Sequence, residues 1–175
     1  MLSRLIEQAL KKGASRAKII STPDIAALDQ VECGECPQYG HNLSCPPLIP
    51  PPYHFFSSLH LFDRGLLIQV DGPGIHHPEK LFSGSSKLHL LVLDLEKHLQ
   101  GAGYANVKGL ISGCCKLCLH CPPPGNSCRF PDRARSSMEA VGINVVDTCQ
   151  MAGVPITFPA VKVTRWTGLL LFKSC

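Results

Sequence analysis

Residues 113–130, GCCKLCLHCPPPGNSCRF, carry five of the chain's ten cysteines in eighteen positions. Thiols at that density are there for crosslinking or for inorganic chemistry, and the compartment separates the two. A secretory leader has a basic start and about 7–15 uninterrupted apolar residues. The start here, MLSRLIEQALKKG, instead spaces Leu2, Leu5, Ile6, Ala9 and Leu10 as on one face of a helix ended by Gly13. No apolar run approaches the roughly 18–20 residues of a membrane span. The expectation is a cytoplasmic protein whose thiols stay reduced, and there a cysteine cluster reads as metal-binding or catalytic.

From Cys115 the spacing is Cys115-x2-Cys118-x2-Cys121-x6-Cys128. Three cysteines at x2 intervals wrap one face of a cubane cluster, and the fourth arrives from further along the chain, as in bacterial ferredoxins. Structural zinc more often takes two C-x2-C knuckles with a long spacer, so zinc is the alternative metal and disulfides a minor one. Cys114 is surplus in this register, and His120 reads as a solvated loop residue. The earlier loop, Cys33-x2-Cys36-x8-Cys45, offers three thiols. It predicts a separate second centre whose fourth position is open, or filled by His41 or a remote cysteine such as Cys149. Zinc on three cysteines and His41 is the runner-up, and pooling of both loops at one site is a further alternative.

Pro46, Pro47 and Pro122 to Pro124 directly follow ligand candidates. Proline has no N–H to direct at a cluster sulfur, so these residues are expected to keep a reduction potential low. Arg129, Arg133 and Arg135, with Ser136 and Ser137 at an expected helix start, form a candidate substrate or anion site. Solvated surface charge with an ordinary cap is the plainer account of the same residues.

The formal charge of +4 counts every thiol as neutral. A [4Fe–4S] centre on four thiolates carries about −2 and one on three about −1, which brings the total near +1. Basicity thus argues little for nucleic acid. The partners expected are a redox protein or a small-molecule substrate, not a membrane. The other motifs are bland. His76-His77 reads as a solvated pair, Phe55-Phe56 and Trp166 as packing, and DGPG lacks the context of a nucleotide loop.

At 45% hydrophobic residues the chain can bury a core. Strands are predicted at 17–21, 65–70, 105–112 and, as one or two, 161–172, the second buried on both faces. Helices are predicted at the N-terminus, at 79–100 with Leu88, Leu91, Val92, Leu95 and Leu99 on one side, from a Ser136–Glu139 capping box, and after an Asn144 cap. Residues 32–54 carry six prolines and no period, so they read as an ordered loop with polyproline II at Pro50 to Pro52. The result is one α/β domain over residues 1–175, or its α+β variant. It is a sandwich of about four strands and flanking helices, with cysteine-rich metal loops at 32–54 and 113–131.

Two hallmarks carry a family resemblance. The first is Cys33-Gly-Glu-Cys36-Pro-Gln-Tyr39-Gly40 with Cys45-Pro46-Pro47. The second is Gly113-x-Cys115-x2-Cys118-x2-Cys121 with Cys128-Arg129-x-Pro131 and Ser137-Met138-Glu139-Ala140-x-Gly142-Ile143. Together they resemble a family of uncharacterised, predicted metal-binding proteins found mainly in anaerobic bacteria and archaea. The resemblance spans essentially the whole chain. It implies cysteine-ligated metal, iron–sulfur first, in a soluble single-domain protein, and it implies no reaction. Ser136 and Asn144 stand where that family favours proline and aspartate. Three functions follow: an iron–sulfur electron-transfer protein, an iron–sulfur enzyme using an open iron at the three-cysteine site on an anionic or sulfur-containing substrate, and a zinc-stabilised interaction module.

Overall fold

The computed structural model describes residues 2–31, 33–76, 80, 82–157 and 160–174. The elements in chain order are α1 (Leu2–Lys11), β1 (Arg16–Ser21), α2 (Pro52–Ser58), β2 (Arg64–Pro73), α3 (Ser83–Gly101), β3 (Ala105–Leu110), α4 (Val145–Met151) and β4 (Val163–Lys173). The strands form one antiparallel sheet in the order β1-β2-β4-β3. That arrangement is the α+β variant of the expected sandwich.

Alternation along the central strands explains the layering. Leu66, Ile68 and Val70 of β2, with Leu170 and Phe172 of β4, pack against Leu5 and Ala9 of α1 and the Leu88–Leu99 stripe of α3. Leu67, Leu169 and Leu171 point the other way, onto Phe55, Met138, Ile143, Val145 and Cys149. Both faces are covered, which is why β2 reads as an unbroken apolar run.

Two helical expectations are corrected. No helix starts at Ser136. Ile111 N–H donates to the Ser136 carbonyl and Met138 N–H to the Ile111 carbonyl (3.0 and 2.9 Å), so this stretch extends the β3 line instead. The Ser137 hydroxyl does accept the Ala140 N–H, but it closes only a single turn. Residues 52–58, assigned in part to the loop, form α2. Pro52 occupies its first turn, where a fixed φ favours a helix and no N–H is missed. Asn144 caps α4 as expected, its side chain accepting the Asp147 N–H at 3.1 Å. The predicted start of α3 at Glu79, like His77 of the histidine pair, lies outside the described residues, and α3 is described from Ser83. Among the described residues no helix is long and apolar enough to cross a membrane.

Gly109 lets α3 approach β3 closely. A Cβ there would collide with the Val92 side chain and lie 2.8 Å from Glu96 Cδ, while the Gly109 N–H donates to Glu96 Oε1 at 2.6 Å. Gly109→Ala is expected to destabilise the fold by about 1–3 kcal/mol, the usual range for an overpacked core. Denaturant titration should show this as a lower midpoint.

Candidate metal centre

The two cysteine loops meet at the end of the sheet where β3 runs out. After Leu110 and Ile111 the chain turns at Gly113, whose φ of +66° suits glycine. There Ser85 Oγ, at the start of α3, donates to the Ser112 carbonyl at 3.0 Å. The first loop is a succession of tight turns, with backbone bonds from Cys36 N–H to the Cys33 carbonyl, Tyr39 to Cys36, Cys45 to Asn42 and Leu48 to Cys45. Asn42, 3% exposed, joins the loops: its Nδ2 donates to the Cys115 carbonyl (3.0 Å) and its Oδ1 accepts the Ser44 N–H (3.0 Å).

Between the loops lies an open cavity of about 830 Å³, lined by Cys36, Cys114, Cys115, Cys118, Cys121 and His41 among others. All nine described cysteines are free thiols. Among the described residues no three His, Cys, Asp or Glu side chains converge as a finished coordination set.

Their mutual influence shows which lie together. Burial pushes the Cys45 thiol up to about 12, and the nearby thiols of Cys114, Cys36, Cys33 and Cys115 add to the effect. Cys33 is raised by burial first, then by Cys36 and Glu139. Burial also raises Cys115. Backbone N–H groups of Leu117 and Arg135 favour its thiolate, and Cys121 and Cys128 oppose it. The Phe130 N–H lies 3.4 Å from Cys128 Sγ. Cys149 is fully buried in the core against Gln69 Nε2, apart from the cavity lining.

Two of the arginines predicted to bind an anion, Arg129 and Arg135, have side-chain partners within the chain. Arg129 donates to the His120 carbonyl at 2.7 Å. Arg135 pairs with the buried Glu96 carboxylate, with both its Nε and NH2 groups 2.8 Å from Oε2. The Arg133 carbonyl lies 2.9 Å from His89 Nε2. Burial, opposed by the carbonyl contact and helped by the nearby charges of Arg135, Lys116 and Arg133, pulls the His89 pKa below its ordinary value. Ser136 contributes its carbonyl to the bridge with Ile111 rather than a helix cap.

Two residues next to the thiols escaped the sequence reading. Lys116 Nζ donates to Ser85 Oγ (3.0 Å) and the Cys114 carbonyl (2.9 Å), and sits over the rings of Phe82 (5.2 Å) and Trp166 (5.8 Å). Its position within C-x2-C was the available signal. Glu139 has a buried Oε2 with no hydrogen-bond partner among the described residues. Burial raises its carboxyl pKa, against the pull of its own backbone N–H, the Ser137 hydroxyl and Lys116. The Ser-Met-Glu-Ala hallmark therefore brings an acid that holds its proton more tightly than usual up to Cys33.

A family model described as "Predicted metal-binding protein (DUF2284)" matches residues 18–172, and the chain belongs to that family. No curated protein and no solved structure matches. The residues present fit a metal that prefers sulfur, since five free thiols line one cavity.

Metal ligation requires thiolates, and Cys33, Cys45 and Cys115 all hold their protons more tightly than free cysteine. Metal bound by those three thiols would have to displace their protons. Apparent metal affinity is expected to rise about tenfold per pH unit for each proton displaced. Competition titrations of the apo-protein at two pH values check this, and proton release in weakly buffered solution gives the count.

Proposed function

Starting from that family membership, we propose that the chain is an iron–sulfur protein with an electron-transfer role. Cys115, Cys118, Cys121 and Cys128 hold one [4Fe–4S] cluster, and Cys33, Cys36 and Cys45 contribute to a second centre. One observation carries the reading. The sulfurs of Cys115 and Cys128 each accept, or lie in reach of, the backbone N–H two residues on, at Leu117 and Phe130. Donors at that position stabilise the negative charge that cluster sulfurs share and raise a reduction potential. The size of the cavity agrees. The open cleft of about 830 Å³ has room for a multi-atom core.

A bound iron–sulfur cluster would supply one-electron exchange. The protein's own residues set its surroundings. Lys116 places a cation, held by two aromatic rings, at the Cys114 carbonyl in the cavity wall. Leu119, 93% exposed between Cys118 and Cys121, offers an apolar tip at the rim for a partner protein. This chemistry belongs in a reducing compartment, the cytoplasm. The enzyme reading draws on the openness of the cavity and needs one unligated metal position in the first loop.

Anaerobically purified protein is expected to contain iron and acid-labile sulfide and to give an EPR signal on reduction. Stoichiometric zinc without iron would end the iron–sulfur reading and leave the interaction module. Cys118→Ser should remove one centre and spare the other.

The prolines allow a second test. Cys45 and Cys121 have Pro47 and Pro123 at the position where Cys115 and Cys128 have N–H donors. Pro123→Ala restores a possible donor and is expected to shift a midpoint potential upward, while Pro122→Ala shifts it less. No shift in redox titration of either variant would remove the proposed role for these residues.

A further inference from the structure

We propose that Cys114 joins Cys33, Cys36 and Cys45 as a fourth thiolate donor, so that the neighbouring residues Cys114 and Cys115 serve different metal centres. The inference rests on the two-centre reading above and completes the ligand set of the first loop.

The fold brings the pieces together by three routes. The two loops line one cavity, with Cys36 on one side and Cys114, Cys115, Cys118 and Cys121 on the other. The buried Asn42 side chain ties the first loop to the backbone carbonyl of Cys115, which fixes the Cys114–Cys115 segment against the turn that ends at Cys45. Lys116 fixes the same segment from the opposite direction through the Cys114 carbonyl. Successive side chains on non-helical backbone diverge, so the pair cannot easily serve one metal but can serve two.

The influences between thiols lean the same way for Cys114, while Cys115 also acts on Cys45, last of the four thiols that do. Among the thiols acting on Cys45, Cys114 comes first, ahead of Cys36 and Cys33. Those acting on Cys115 are Cys121 and Cys128. The other candidates for the fourth position are less well placed. Cys149 is fully buried in the core, and His41 is an exposed residue at the cavity rim.

The consequence is chemical. With Cys114 in place the first-loop centre has four thiolates and no open coordination position, which favours electron transfer over Lewis-acid catalysis. The ligands of the two centres then hang from Cα atoms about 3.8 Å apart, joined by a single peptide unit. Two paramagnetic centres so linked interact magnetically.

The test uses the full chain, reconstituted anaerobically with iron and sulfide, alongside Cys114→Ser, Cys114→Ala, Cys115→Ser and His41→Ala. Melting of the apo forms checks that each variant folds. Both Cys114 variants are expected to lose about half the iron, or to keep it in a centre whose spectrum now responds to added small thiols. Splitting in the EPR spectrum of the reduced protein should collapse in those variants. Cys115→Ser should remove the other half, and His41→Ala should change nothing. Full iron, an unchanged spectrum and no thiol response in folded Cys114 variants would overturn the assignment, as would loss of the first-loop centre in His41→Ala alone. If the wild-type protein takes up zinc and no iron, the redox reading fails. The ligand assignment is then judged separately: it stands if Cys114→Ser loses one zinc equivalent and falls if it loses none.

Discussion

One buried carboxylate holds the metal end of this molecule to the rest. Glu96 lies in the middle of α3, 4% exposed, with one oxygen accepting the Gly109 N–H from β3 and the other facing the Arg135 guanidinium. The helix, the strand leading into the second cysteine loop and the segment leaving it therefore meet at a single side chain. Arg135 completes the link, because its own backbone N–H turns toward the Cys115 sulfur. Leaving one member of such a pair buried without the other costs about 3–5 kcal/mol, a large fraction of a domain's stability. The pair works by fixing position more than by adding net energy. It sets where Cys115 stands relative to the sheet.

Much of the scaffold was legible because it follows strong periodicities. The unbroken apolar run of β2 and the leucine stripe of α3 are burial patterns that need no knowledge of distant contacts. The failures share a cause. Ser136 through Glu139 carry a good local helix-start pattern, but Ile111 offers the same backbone groups a bridge, and a tertiary contact overrode the local preference. At Pro52 the error ran the other way: proline signals loop in general, yet at the first turn of a helix it is favourable.

The site was legible as an inventory and not as a partition. Spacing alone picks out Cys115, Cys118, Cys121 and Cys128, and leaves Cys114 as an extra. Only the meeting of two loops separated by some seventy residues, held by the Asn42–Cys115 hydrogen bond, gives Cys114 a neighbour at Cys45. Glu139 was hidden in the same way. Its charge suggests a surface residue, and burial beside Cys33 is a product of the turn that replaced the expected helix.

The slot that holds Lys116 is formed partly by Trp166, the chain's single tryptophan, whose indole also lies near Gly113 at the mouth of the second cysteine loop. Indole emission is sensitive to adjacent cations and to light-absorbing inorganic groups. The molecule thus has a built-in optical gauge at its metal end, with no other tryptophan to dilute the signal. Filling and emptying of the cysteine loops can be followed in the unlabelled protein.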